Sequence, residues 1–392
     1  MKKFIETGNL LKCIKAEDLD TVYDHITDKA AEWAVAGYLE HANNLLQDLW
    51  NLHAGDSGNV RRQLEGLRIM WELSNKFPST IPFELRDIDE IEQENFKEVF
   101  FNNQYENRSL PDLLNQLEKD IQSTSGFDYC VLASRATLLS LENDLVEVGK
   151  KFIHIWGVGY MLDYNYMVGY LTRNRKSSAL LLEGILDPTF ELTNEKCQFE
   201  YGELSAALKK RKEKGRTLIY GDLSWQKLLE NISVLAIKDD PALYAGPMTT
   251  SNWLGNDPAL EDDILTTERR IGMKLPEDYR EFLKVSNGFT SHSNIYSALL
   301  PVEKIDWLSV LEKDLVDIVE ESIEMEKEKY HGLTKKCLLV GGLFEEEQVL
   351  LFPTSDSSWE CWSLVVPGGC GETWYPGFRY YIESRLYFLE CL

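Results

Sequence analysis

Basic residues are scarce in this chain of 392 residues, in which 41 Lys and Arg stand against 65 Asp and Glu, for a formal net charge of -24. The imbalance is greatest toward the C-terminus, where residues 252–392 hold 26 acids and 13 bases, a net charge of -13. Proteins bind nucleic acid largely by placing Lys and Arg on phosphates, so this composition argues against a nucleic-acid-binding role. It suits a soluble protein of the cytoplasm, or one whose partner is basic.

The motifs that mark common catalytic and metal sites are missing as well. The sequence has no H-E-x-x-H, no Walker phosphate loop, no G-x-G-x-x-G and no C-x-x-C pair. Its seven cysteines are scattered, which favours reduced, mostly buried thiols in a reducing compartment. We interpret Gly-Asp-Ser-Gly at 55–58 and the glycine-flanked Cys370 as turns. We therefore predict a protein that is not an enzyme and holds no metal and no cofactor.

One run, residues 152–171, is long and apolar enough to raise the question of a membrane span. It contains His154, Asp163 and Asn165, each of which would be costly in lipid, together with three glycines and six aromatic residues. These features favour a buried pair of helices, and we predict no membrane span. The N-terminal residues reach Glu6 before any apolar run forms, which does not fit a secretory signal.

From about residue 10 to about residue 240 the apolar side chains recur at helical spacing. Ser109 followed by Pro111 has the pattern of a capped helix start. Repeated helices of this kind form either a bundle or a stacked array. We predict a helical region of unidentified family over residues 1–248, organised as one or two subdomains, and proline and glycine near 245–252 mark its border.

The stretch IGMKLPEDYREFLKVSNGF, residues 271–289, predicts two short helices with a stop signal after each. We expect the first helix to begin near Pro258 and to end at Gly272, which adopts a left-handed conformation at little cost. Pro276 opens the second helix, whose aromatic and aliphatic residues fall on one face, and an Asn-Gly pair ends it. The stretch is therefore a compact two-helix unit.

Beyond this unit the pattern becomes strand-like. Residues 337–353, CLLVGGLFEEEQVLLFP, contain two apolar runs separated by acidic residues, which is a hairpin signal. A helical pattern returns at 378–389, so residues 252–392 read as an α+β domain. The predicted fold class is a mostly α N-terminal region, a helical bundle or helical array, followed by an α+β C-terminal domain with an antiparallel sheet.

Several of these features together resemble the signature of the SUKH superfamily, which includes immunity proteins of bacterial polymorphic toxin systems and a fungal cell-wall-synthesis regulator. The residues that carry the resemblance are Glu268, Ile271-Gly272, Leu275-Pro276, Tyr279, Phe282-Leu283 and Asn287-Gly288. The strands at 337–353 are similar to the central hairpin of that family. The resemblance covers the C-terminal third and implies a cytoplasmic, non-enzymatic module that binds a cognate toxin domain and blocks its active site.

Two functions compete on this basis. As an immunity protein, the chain would set acidic groups against a basic active-site cleft, with aromatic side chains as anchors. As a scaffold or signalling adaptor, it would use the SUKH-like domain beside a helical array. The residues predicted to contact a partner are Asn287, Gly288, Glu345, Glu346, Glu347, Trp359, Trp362, Trp374 and Tyr375. For the aromatic residues, packing in the core is the competing interpretation.

Overall fold

The computed structural model describes residues 5–52, 67–78, 108–124, 127–163, 171–172, 174–244, 252–291, 297–317, 334–355, 358–365 and 372–392. The contacts between residues divide the chain into two compact units, Met1–Gly215 and Arg216–Leu392. We describe each unit by itself.

The first unit is built from helices, as predicted. Their starts follow the local sequence. The Asp18 carboxylate accepts a hydrogen bond from the Thr21 N–H (2.7 Å), and the Ser109 hydroxyl accepts one from the Asp112 N–H at the start of the helix that begins at Leu110. The helices are α1 (Thr7–Ala16), α2 (Leu19–Val35), α3 (Leu39–Leu52), α4 (Leu110–Ser123), α5 (Phe127–Glu142), α6 (Val146–Asp163), α7 (Arg175–Leu182), α8 (Asp187–Phe190) and α9 (Asn194–Lys214), and residues 67–74 are also helical.

Residues 152–163 of the apolar run at 152–171 belong to α6. Phe152, Ile153 and Trp156 are buried on one side of this helix, which packs against α5 and α8. Across the described ranges, no helix is long and apolar enough to cross a membrane.

The second unit combines helices with a five-stranded antiparallel sheet, which confirms the predicted α+β class. The strands lie in the sheet in chain order. The elements are α10 (Trp225–Asp239), α11 (Glu261–Ile271), α12 (Glu277–Leu283), β1 (Asp306–Trp307), α13 (Leu308–Leu311), a 3-10 turn (Thr334–Lys336), β2 (Leu338–Gly341), β3 (Glu347–Ser355), β4 (Ser358–Val365), β5 (Glu372–Tyr375) and α14 (Phe378–Cys391).

The two helices predicted at 271–289 are present as α11 and α12. Gly272 ends the first with a φ of +78°, as its lack of a side chain allows. The Glu268 carboxylate links the two helices, because it accepts a hydrogen bond from the Leu275 N–H (2.9 Å) and forms an ion pair with Arg280.

The first of these helices starts later than predicted, at Glu261 rather than near Pro258. The backbone before it already has other partners. The Ala259 N–H donates a hydrogen bond to the carbonyl oxygen of Leu283 (2.9 Å), which draws this segment along the end of α12. The proline therefore precedes the helix.

The sheet is covered on both faces, and its side chains alternate between two cores. In β3, Val349 and Leu351 lie in the larger core, which also contains residues of α10, α11, α12 and α14. Leu350 and Phe352 lie in a smaller core on the other face, together with Trp362 of β4. Because both faces are buried, β2 and the middle of β3 are continuous apolar runs in the sequence.

The helix α10 packs within the second unit. Its residues Leu228, Leu229 and Ile232 are buried in the larger core of that unit. The compact units thus divide between residues 215 and 216, whereas the domains predicted from sequence, 1–248 and 252–392, divide after this helix. The domain boundaries stay a prediction.

Candidate functional site

The turn between β2 and β3, residues 342–346, is held by its own backbone; we call it the acidic turn. Gly342 has a φ of +75°, and a Cβ at this position would lie 1.7 Å from the carbonyl oxygen of Glu347, so only glycine fits. The Gly342 N–H donates to the carbonyl oxygen of Ala298 (3.0 Å), and the Glu345 N–H donates to that of Gly342 (3.1 Å). The turn is therefore braced against residue 298 as well as closed on itself.

Phe344, Glu345 and Glu346 are consecutive and exposed in this turn. Phe344 exposes 80% of its surface and has a φ of +61°, in the left-handed region that side-chain-bearing residues rarely adopt. Its N–H donates a hydrogen bond to the carboxylate of Glu312 (3.1 Å). The Glu345 carboxylate accepts one from the Ala298 N–H (3.3 Å). The acidic turn thus presents one aromatic ring and two carboxylates to solvent.

Glu347, the third acid of the predicted set, points inward instead. It is 2% exposed. Its carboxylate accepts hydrogen bonds from the Ser297 N–H (2.9 Å) and the Ser363 hydroxyl (2.6 Å), and it lies 3.9 Å from the guanidinium of Arg385. The Tyr381 hydroxyl also lies 3.5 Å from it. Glu347 is therefore occupied by groups of its own domain and is not available to a partner in this structure.

The four predicted aromatic residues pack on the two faces of the sheet. Trp362 and Trp374 face each other across β4 and β5 and stack with ring centroids 3.8 Å apart. Tyr375 is buried on the opposite face, where its hydroxyl accepts a hydrogen bond from Arg385 (2.8 Å). Trp359, farther along β4, is only partly buried and packs against the larger core.

Asn287 and Gly288 hold the chain after α12. The Asn287 side chain accepts a hydrogen bond from the Val302 N–H (2.7 Å) and donates one to the Glu303 carboxylate (3.2 Å). Gly288 has a φ of +87°, and a Cβ on it would lie 2.7 Å from the carbonyl oxygen of Leu299. The pair joins the helices to the segment that leads into the sheet.

These helices, the sheet and the acidic turn occupy one continuous stretch of chain. Residues 258–377 match the SMI1 / KNR4 family (SUKH-1). The resemblance predicted for the C-terminal third is thereby confirmed, and the match takes in the chain from just before α11 to the end of β5. We call this part the SUKH-1 domain. The comparisons with curated proteins and with solved structures give no significant match.

Within the SUKH-1 domain, the structure separates the nine predicted contact residues. Glu345 and Glu346 are exposed in the acidic turn, whereas Glu347, Trp362 and Tyr375 are internal. Asn287, Trp359 and Trp374 are partly buried, and Gly288 is buried. The role of the nine residues in partner binding stays a prediction.

The residue that sequence reasoning missed is Phe344. In the run GGLFEEE it follows a leucine and looks like the end of a buried strand. The available signal was the pair Gly341-Gly342 before it, since two glycines in succession mark a turn. That turn signal moves the end of β2 back to Gly341 and exposes the phenylalanine.

The other motifs and cysteines considered as possible sites are buried thiols or lie outside the described residues. The Gly-Asp-Ser-Gly stretch at 55–58 and Cys370 are not described. Where the structure describes the chain, no group of His, Cys, Asp or Glu side chains could hold a metal ion. The described cysteines are buried thiols that form no disulfide, namely Cys13, Cys130, Cys197, Cys337, Cys361 and Cys391.

The first unit contains an open groove of about 690 Å³ beside a buried lysine. The Lys29 ammonium lies 2.8 Å from the Glu32 carboxylate and 3.2 Å from that of Glu200. Burial by itself lowers the pKa of Lys29, but the two carboxylates outweigh it and the net pKa is raised. Lys29 is therefore a charged, paired group at neutral pH.

Proposed function

We propose that this chain is a non-catalytic protein-binding module that acts in the cytoplasm as an immunity protein, by binding and neutralising a cognate toxin domain. The observation that carries the proposal is the SUKH-1 match over residues 258–377. The superfamily that this part of the chain resembles includes immunity proteins. The exposed carboxylates of the acidic turn give the domain a surface suited to such a partner.

The mechanism is steric and electrostatic and needs no bond to be made or broken. Residues 252–392 have a net charge of -13, and Glu345 and Glu346 extend from a braced turn. A negative surface of this kind speeds the encounter with a basic partner and disfavours acidic ones. The bound domain then covers the basic active-site cleft of the toxin.

The thiols of the described residues support a non-enzymatic role. Burial raises the pKa of Cys130 to about 11 and that of Cys197 to about 12. Burial also raises the pKa of Cys361 well above its ordinary value. A nucleophilic cysteine needs a lowered pKa and access to solvent, and these three have neither.

Co-expression with the product of the adjacent gene tests the proposal. If that gene encodes a toxin, we expect the tagged protein to co-purify with it and to restore growth of cells that express it. A catalytically inactive toxin domain provides the binding partner for measurements in solution. Absence of binding, or binding without rescue, would contradict the immunity role, and the second outcome would favour a scaffold or adaptor.

We predict that reversing the charges of the acidic turn, in the variant Glu345→Lys/Glu346→Lys, lowers the association rate with the toxin domain about tenfold at low ionic strength. The loss should shrink as salt is added, because salt screens exposed charges. Stopped-flow fluorescence at several salt concentrations measures both effects.

The matched control for this reversal is Glu203→Lys/Glu213→Lys, which changes the net charge equally on exposed positions of α9. It should change the association rate much less. Equal effects of the two variants would mean that net charge alone matters and that the acidic turn is not the contact surface.

A further inference from the structure

The backbone of Phe344 adopts a conformation that its side chain disfavours. Its φ of +61° lies in the left-handed region, which costs a residue with a Cβ roughly 1–2 kcal/mol compared with glycine. The usual reason to accept such a cost is a gain in packing, yet the ring is 80% exposed. A strained and exposed residue of this kind indicates selection for something other than the stability of the domain.

The surrounding contacts hold the backbone that carries the exposed ring. The N–H of Phe344 is bound by Glu312, and the next residue, Glu345, is bound through both its N–H and its carboxylate. Gln348, which is buried, donates a hydrogen bond from its side chain to the Glu345 carbonyl oxygen (2.5 Å). The acidic turn is thus fastened before and after the phenylalanine. A turn whose backbone is already braced loses little backbone freedom when it binds.

We propose that Phe344 is the apolar anchor through which the SUKH-1 domain docks on its partner, inserted in an apolar socket whose border carries Lys or Arg. The identity of the partner rests on the proposed function; the anchor itself rests on the geometry of the turn. Aromatic residues that enter a pocket at the centre of an interface supply much of the binding energy, and charged groups around them set specificity.

Charge complementarity selects this occupant. Glu345 and Glu346 follow the ring directly, so any socket that receives Phe344 must accommodate two carboxylates at its edge. A basic border does so, whereas an acidic one would be repelled. A second copy of this chain is a poor occupant, because it carries a net charge of -24 and would bring the same two carboxylates.

The variant Phe344→Gly tests the backbone strain and the anchor together. Relief of the strain should raise its melting temperature above that of Phe344→Ala, whereas loss of the ring should lower its affinity for the partner. Glycine accepts a φ of +61° without strain, so we expect the melting temperature of Phe344→Gly to lie ~2–4 °C above that of Phe344→Ala. Affinity for the inactive toxin domain should fall at least about 30-fold in both variants. An equal loss of affinity in two variants that differ in stability cannot be due to misfolding.

The matched control is Phe199→Ala, since Phe199 is also a highly exposed phenylalanine, at 67%, but lies in regular helix α9. Its affinity should stay within about threefold of the original protein. The proposal is overturned if Phe344→Ala binds as tightly as Phe199→Ala, or if Phe344→Gly melts below Phe344→Ala.

If the adjacent gene product does not bind the unaltered protein, the proposed function fails. The role of Phe344 as an anchor can still be tested. A photo-crosslinking phenylalanine analogue at position 344, and at 199 as control, is then expressed in the native host. We expect an adduct specific to position 344, whose protein component, once purified, binds Phe344→Ala at least about 30-fold more weakly than the original. No specific adduct, an adduct with a second copy of this chain, or equal affinity would overturn the anchor.

Discussion

Replacing Trp362 with alanine should lower the free energy of unfolding of the second unit by about 3–5 kcal/mol. Trp362 is fully buried in the smaller core, where it stacks on Trp374 of the neighbouring strand. Phe352 and Leu350 of β3 border the same space. The substitution removes the largest side chain of this core and leaves a cavity that the sheet, fixed by its hydrogen bonds, can fill only in part.

Urea unfolding followed by circular dichroism measures this loss, with Trp359→Ala as control on the same strand. Trp359 is only partly buried, so its replacement should cost much less. The comparison also decides between two interpretations of the aromatic residues. A small loss of stability in Trp362→Ala combined with a large loss of partner affinity would identify Trp362 as a contact residue instead of a core residue.

The sequence was sufficient to predict the helix pair and the hairpin, because their signals are local. The end of α11 needs a residue in the left-handed conformation, which Gly272 provides. The apolar runs at 337–353 form β2 and β3. The later start of α11 was not predictable in this way. The segment before it is held by Leu283, a residue distant in the sequence, and a local cap pattern carries no information on such a partner.

To predict which of the acids points inward, one must know where β3 begins. If it begins at Glu347, the two-residue period places Glu347 on the same face as Val349 and Leu351, toward α14. Taking three acids as one turn moves that boundary by a residue and turns Glu347 outward. The apolar pattern could not correct the error, because a strand buried on both faces shows no alternation.

Phe344 escaped prediction for a related reason. The left-handed conformation is common in glycine and asparagine and rare in phenylalanine, so residue type alone argued against it. What imposes the conformation is the bracing of the turn at Gly342 and Glu345 by Ala298, which lies more than 40 positions earlier. Long-range hydrogen bonds can override a local preference of 1–2 kcal/mol, on the order of what each such bond contributes.

Replacing Glu347 with leucine should destabilise the second unit by about 3–5 kcal/mol. The substitution takes the nearby carboxylate away from the guanidinium of Arg385, which is 6% exposed, and so weakens the compensation of a buried charge. It also removes the acceptor of the Ser297 N–H and the Ser363 hydroxyl, each of which then loses a buried hydrogen bond. The control Glu346→Leu alters an exposed neighbour and should change stability by no more than about 0.5 kcal/mol.

A double-mutant cycle separates the charge effect from the rest. In Glu347→Leu/Arg385→Met both charges are gone, so the double variant should lose less stability than the sum of the two single variants, by about 1–3 kcal/mol. Arg385 also lies over the ring of Tyr381, with 4.8 Å from its guanidinium to the ring centroid, and methionine keeps part of that packing. Additive losses would show that Arg385 is held mainly by Tyr375 and Tyr381, with Glu347 serving the two serines. Partner affinity should be the same in every variant of the cycle that remains folded, because Glu347 lies inside the domain. A loss of affinity without a loss of stability would mean that Glu347 contacts the partner.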